Sequence, residues 1–183
     1  MKLGWLLVPV LLAAAQAHAQ SVLADKSEIR FVGKQLGVNV EGRFRTFKAN
    51  VVFVASDVAK SKAEIDVDIG SIDLASEDSE KEIKDKLWFD TRSFPVARFV
   101  STSFKDLGSD KYEVAGTISI KGVSRPVTMP FTVKKDAAGN TVAEGSLSLK
   151  RLDFKIGEGA WSDTGTVAND VAVRVRMVLP PAK

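Results

Sequence analysis

Alternation constrains this chain more than any other feature. From Ser27 onward nearly every segment carries apolar residues at every second position, the period of a strand with one buried face. Ile29 and Phe31 alternate with Glu28 and Arg30. Ala63, Ile65, Val67 and Ile69 alternate with Glu64, Asp66 and Asp68. Val114, Gly116, Ile118 and Ile120 lie opposite Ala115, Thr117 and Ser119, and Val171, Val173, Val175 and Met177 opposite Ala172, Arg174 and Arg176. Stretches 40–54, 96–107, 127–133 and 142–151 bring the expected count to eight strands. Gly-bearing connectors at 106–111, 121–126 and 136–140 suit hairpins between antiparallel neighbours. Phe44 and Phe47 are three apart, so a bulge near Thr46 is expected to bend that strand. An antiparallel chain loses its edges by closing, which predicts an all-β, eight-stranded antiparallel barrel.

One segment departs from this period. Residues 76–87 open with Ser76, Glu77 and Asp78, close with Lys84 and Lys86, and place Ile83 and Leu87 four apart. That polarity complements a helix dipole and predicts a short helix lying across the barrel.

The N-terminus reads as a secretory signal peptide over 1–19: Lys2, an apolar run from Leu6 to Ala15, then Ala17-His18-Ala19 before the expected cut at Gln20. The remainder, 20–183, is expected to be one domain located in the periplasm. The cut would remove His18, the single histidine of a chain with no cysteine. Disulfides, thiol chemistry and histidine-based zinc sites are thereby excluded. Lys and Arg number 26 against 23 Asp and Glu and are scattered among them, so no nucleic-acid partner is expected.

Period-2 patterning also fits a membrane-spanning barrel with an apolar exterior. Such barrels carry aromatic girdles, whereas this chain has a single Tyr and, beyond residue 19, only Trp88 and Trp161. The charged helix and the Leu179-Pro180-Pro181 tail point the same way, to a water-soluble cup with an apolar interior.

Several motifs are similar to those of the YceI-like, polyisoprenoid-binding proteins, which have a lipocalin-like barrel. They are Gly42-Arg43-Phe44 with Phe47; Ser71-Ile72-Asp73; Trp88-Phe89-Asp90 with Phe94-Pro95 and Phe99-Val100-Ser101; Gly116-Thr117-Ile118 with Ile120-Lys121-Gly122 and Pro126-Val127; and Arg151, Asp153-Phe154 and Ile156-Gly157. The resemblance spans about residues 22–179. Where many members carry an Arg-Asp-x-His-Leu stretch, this chain reads Lys81-Glu82-Ile83-Lys84-Asp85-Lys86-Leu87.

The resemblance implies an elongated apolar pocket for an isoprenoid lipid, a quinone or polyprenyl phosphate. The expected lining is Phe31, Phe44, Phe53, Phe99, Ile118, Met129, Leu147 and Val173, with Gly33, Gly42, Gly116 and Ser101 leaving space. Ile83, Leu87, Trp88, Phe89, Phe94 and Trp161 are expected at the mouth or lid. Arg151, inward by parity with Leu147 and Leu149, and Lys34 are candidate headgroup contacts. Core packing is the competing role for each Phe, and an ion pair with Asp153 or another carboxylate the competing role for Arg151. A carrier fits the energetics: each CH₂ of a lipid tail exposed to water costs about 0.8 kcal/mol.

Asp66 and Asp68 share a strand face with Glu64, which reads as a solvated exterior and not as a hydrolase pair. Gly70 and Ser71 stand where a calcium loop needs a ligand and its turn glycine. No spacing singles out a Ser–Lys pair. The resemblance implies non-catalytic binding, storage or shuttling of an isoprenoid lipid, with no metal or cofactor expected. Transient contact with a membrane surface or membrane enzyme is expected, and a homodimer would cover an emerging tail. The alternative is a protein-interaction module whose barrel core is filled by its own side chains.

Overall fold

The computed structural model describes residues 20–181, so the expected leader 1–19 lies outside the described residues. Eleven strands are present among them: β1 (Gln20–Ser21), β2 (Glu28–Gln35), β3 (Val38–Phe44), β4 (Phe47–Val52), β5 (Lys62–Asp68), β6 (Ile72–Asp73), β7 (Val96–Gly108), β8 (Lys111–Ile120), β9 (Val123–Lys135), β10 (Thr141–Lys150) and β11 (Asp170–Leu179). They form one antiparallel sheet in the order β1-β4-β5-β7-β8-β9-β10-β11-β2-β3-β6. The sheet curls until side chains from β2, β3, β5, β7, β8, β10 and β11 face one interior cavity.

The all-β antiparallel class is as expected, but neither the count of eight nor full closure is: the curled sheet stays open, with β1 and β6 at its two unpaired edges. β1 and β6 are two-residue strands, and the expected 40–54 strand is two strands that part at Arg45 and Thr46. β3 pairs with β2 and β6, whereas β4 pairs with β5 and β1. The chain therefore crosses from one end of the ladder to the other in two residues, a corner where a bulge was expected. Hydrogen bonds fix that corner. The Arg45 and Thr46 N–H groups donate to the Ser71 carbonyl (3.1 Å) and Ser71 Oγ (3.0 Å), and the Thr46 carbonyl accepts from Asp68 N–H (3.0 Å). Arg43 and Arg45 both reach Asp73 at 2.7 Å, and these hydrogen bonds, Arg45's first, hold its carboxyl below the usual carboxylate range.

Two-residue turns close three hairpins: Leu36-Gly37, Ser109-Asp110 and Lys121-Gly122. Both residues of each have positive φ, the turn geometry that matches strand twist.

Helix α1 (Glu77–Ile83) starts where Ser76 Oγ accepts from Ser79 N–H. It ends four residues earlier than expected. Asp85 Oδ1 takes the Lys86 N–H at 2.7 Å, the local side-chain competition that opposes helix propagation, and residues 84–88 run as turns.

One end of the barrel is sealed. Phe53 meets Tyr112 edge-on at 5.2 Å, Tyr112 stacks on Phe131 at 5.5 Å, and Phe104 meets Phe131 edge-on at 6.1 Å. Burial there pushes the Tyr112 phenol above its ordinary pKa. The N-terminal segment straps this floor: β1 pairs with β4, Leu23 N–H donates to the Val178 carbonyl at 2.8 Å, and Val22 packs against Val51, Ala63 and Leu179. The outer face is ionic, with Arg98 beside Glu64 (3.0 Å) and Asp66 (3.4 Å) and Arg176 beside Glu144 (3.0 Å). That is the reverse of the apolar belt of a membrane-spanning barrel. Among the described residues no helix is long and apolar enough to cross a membrane.

Candidate functional site: an apolar cavity with a polar rim

Above the sealed floor the barrel holds a cavity of about 520 Å³, within the roughly 300–1,000 Å³ of small-molecule sites. Its wall follows the strand alternation. β2 contributes Ile29, Phe31, Gly33 and Gln35; β3 Val40 and Phe44; β8 Ile118 and Ile120; β11 Val171 and Val173. The β2 contribution alone extends over six residue steps, about 20 Å at 3.3 Å per residue. Glycines shape the interior differently. A Cβ on Gly33 would meet nothing within 4 Å, whereas one on Gly42 would fall 2.4 Å from the Phe31 ring. Gly33 leaves open space, and Gly42 lets a ring lie across the strand.

Of the expected lining, Phe31, Phe44, Ile118 and Val173 are on the cavity wall. Four placements need correcting. Phe53 and Met129 pack with Tyr112, Val114 and Phe131 in the sealed half. Phe99 joins both clusters of that half, its ring lying over Gly116, where a Cβ would come within 2.6 Å. Leu147 shares the inward face of β10 with Leu149, but it sits nearer the floor and only Leu149 reaches the cavity. Facing inward was legible in each case, but the height along the barrel was not.

The rim is built from α1, residues 84–89 and the β10–β11 connection. Ile83, Trp88, Phe89 and Trp161 line the cavity there. Leu87 and Phe94 do not: they are 43% and 36% exposed, Leu87 lying against Gly159 and Phe94 over Gly122. Trp161 Nε1–H donates to Glu82 Oε1 at 3.0 Å, which ties the connection to α1. The Trp161 ring packs 5.5 Å from that of Trp88.

Arg151 is 3% exposed and lies on the cavity wall. Neither Asp153 nor any other carboxylate pairs with it among the described residues. Its five N–H groups all go to carbonyls: Nε to Ala168 (3.1 Å), Nη1 to Ile156 and Gly157 (2.9 Å each), and Nη2 to Trp161 and Val167 (2.7 Å each). The guanidinium also sits 5.8 Å from the Trp88 ring centroid, within cation–π range. Burial pushes its pKa below the ordinary arginine value. Gly157, at φ +76, leaves room for it, since a Cβ there would fall 2.4 Å from Nη1. Arg151 thus organises the 151–169 connection and has no hydrogen left for a ligand. Lys34 remains as a cation on the wall, which Asp78 and Glu82 also line.

Trp88 supplies a different feature. Its Nε1 is out of contact with water and has no partner among the described residues. An indole N–H without an acceptor is an unmet buried donor, and Trp88 meets the cavity through its ring carbons.

Sequence reasoning did not assign Ile69, Leu74, Phe154 or Ile156 to this wall, although all four line it. Phe154 (2% exposed) belongs to a one-turn helix, Arg151–Phe154, and Ile156 follows it, so strand alternation carries no signal for either.

The deciding comparison is the match of residues 21–179 to the YceI-like domain model. The chain belongs to the YceI-like family. This is the family whose motifs the sequence carries. A UPF0312 protein of Azotobacter vinelandii is 30% identical over 171 residues, 88% of this chain and 87% of that protein. The crystal structure of Burkholderia cenocepacia BcnA is similar at 36% identity and a TM-score of 0.83, over 86% of this chain and 98% of that one. A polyisoprenoid binding domain from Saccharophagus degradans aligns with a TM-score of 0.71 over 90% and 99% of the two chains. At 16% identity that likeness shows the fold alone.

Proposed function

We propose that this YceI-like chain is an exported, non-catalytic binding protein that stores or shuttles an isoprenoid lipid with a neutral, oxygen-bearing headgroup of the quinone type. The observation that carries this reading is the shape and chemistry of the cavity: about 520 Å³, walled by aliphatic and aromatic side chains, floored by the sealed half and open at a polar rim. Sealing one end makes the site a cup for a tail. The space also disfavours the alternative of a barrel packed throughout by its own core. A related fold is described as a polyisoprenoid binding domain, which agrees with this class of cargo.

The rim favours a quinone over a phosphate. Arg151 has all five donors committed and none left for a phosphate, and Lys34 shares the wall with two acids, Asp78 and Glu82, so no surplus of positive charge awaits a dianion. The test is mass spectrometry of an organic extract of protein isolated from its native source, beside a control protein of similar size. A stoichiometric isoprenoid quinone is the expected result. A polyprenyl phosphate overturns the headgroup assignment. An empty extract, repeated after adding both lipids in excess, overturns the carrier reading.

A further inference from the structure

The β2–β3 hairpin carries an apolar tip at odds with its turn. Leu36 and Gly37 have φ +50 and +81. Asn, Asp or Gly normally holds the first of these positions, because a larger side chain is strained at positive φ. Here it is Leu, 74% exposed. A strained residue that also leaves its side chain in water serves neither turn stability nor solubility.

The tip continues the cavity wall. Phe44, Gly42, Val40 and Val38 occupy one face of β3. Phe44 and Val40 line the cavity, and exposure rises from Val40 (36%) through Val38 (68%) to Leu36 at the turn. An apolar track therefore leaves the cavity, passes the rim and ends in solvent. The hairpin is braced from behind: Leu36 N–H donates to the Thr166 carbonyl (2.8 Å), Ala168 N–H to the Lys34 carbonyl (2.9 Å), and Gln35 bridges Val167. β2, β8 and β10 all run toward this end, which also presents Leu87, Phe94 and Val96; of the large apolar residues left exposed among the described residues, only Leu107 lies at the sealed end.

We propose that the β2–β3 tip, Leu36 with Val38, is a membrane-seating element that sets the cavity mouth against the hydrocarbon of a lipid bilayer. A projecting spike suits entry into a fluid medium, where a fitted protein partner would favour a recess. Continuity with the cavity says why the medium is lipid: the track gives a tail an unbroken apolar path from bilayer to cup. Charges of both signs surround the mouth (Lys34, Lys81 and Lys84 with Asp78, Glu80 and Glu82), so seating is apolar and needs no anionic headgroups.

This inference rests on the apolar-cargo reading of the cavity, and the experiment separates the two. Full-length mature protein is floated with phosphatidylcholine vesicles at millimolar lipid, in low and high salt. In parallel, binding of farnesol as a soluble probe is measured without vesicles. Wild type is expected to float equally at both salt concentrations. Leu36→Asp combined with Val38→Asp, neither on the cavity wall, should lower partitioning more than tenfold and leave farnesol affinity unchanged. Wild type that stays with the soluble fraction, or a double variant that floats like wild type, overturns the seating proposal. Failure of wild type to bind farnesol instead overturns the cargo reading, and the flotation result stands on its own.

Discussion

Gly33 offers the most direct access to the cavity. It sits mid-strand in β2, facing inward, with nothing within 4 Å of the position its Cβ would take. Gly33→Ala should therefore add a methyl group without a clash. It removes backbone freedom from the unfolded chain, a gain of about 0.5–1 kcal/mol, or roughly 1–4 °C in Tm for a domain of this size. Gly33→Phe should also fold, since the ring has a space to enter, but that space is the cargo's. If the ring displaces about 100 Å² of ligand contact, the loss is near 2.5 kcal/mol, roughly seventyfold in Kd. The chain carries its own reporter, because Trp88 and Trp161 both lie on the cavity wall and a quinone entering it should quench them. Titrating the Cys-free chain with a short-tailed ubiquinone analogue, alongside thermal melts, gives both numbers. Unchanged affinity in Gly33→Phe with an intact melt would refute a cargo lying along β2. A Tm that collapses in both variants would refute the open space itself.

Three more outcomes follow from particular contacts. Arg151→Lys keeps the charge but offers three donors to five carbonyls, so it should cost roughly 2–4 kcal/mol in a urea melt, with hydrogen exchange accelerating first at 156–168. Leu36→Asn should raise Tm by about 1–4 °C, because Asn accepts the left-handed turn, yet weaken vesicle flotation; a drop in Tm would refute the strain at that turn. Asp73 titrates below its ordinary range in the fold, so the unfolded chain takes up that proton first as the pH falls. Its contribution should be complete above the ordinary carboxylate pKa and fade as pH drops through the lowered value. Asp73→Asn should flatten that part of the pH–stability profile.

Much of the fold was legible because alternation is local. Strand faces, the short polar helix and the slip between Phe44 and Phe47 all lie within a few residues of their cause. What the slip becomes is not local: whether Arg45–Thr46 bulges within one ladder or carries the chain to the far edge of the sheet depends on β5 and β6, some twenty residues on. The interior behaved likewise. Parity assigned Phe31 and Phe53 to the same inner face, but only the barrel's three-dimensional stagger puts one on the cavity and the other in the plug. Arg151 was readable as an inward cation, whereas its carbonyl partners come from a connection without period. Leu36 gave no turn signal at all, since Leu is a residue that such turns avoid.

The strapped floor has a consequence for the order in which the molecule can be made. Leu23 bonds to Val178, and β2 lies between β11 and β3, so the base of the cup joins the two ends of the chain. A polypeptide emerging N-terminus first, from a ribosome or through a translocation pore, cannot close that base until β11 and Val178 are out. Contacts of such long sequence separation also form slowly. On the proposed export route the base would therefore stay open during passage, and the cup would be completed only on the far side.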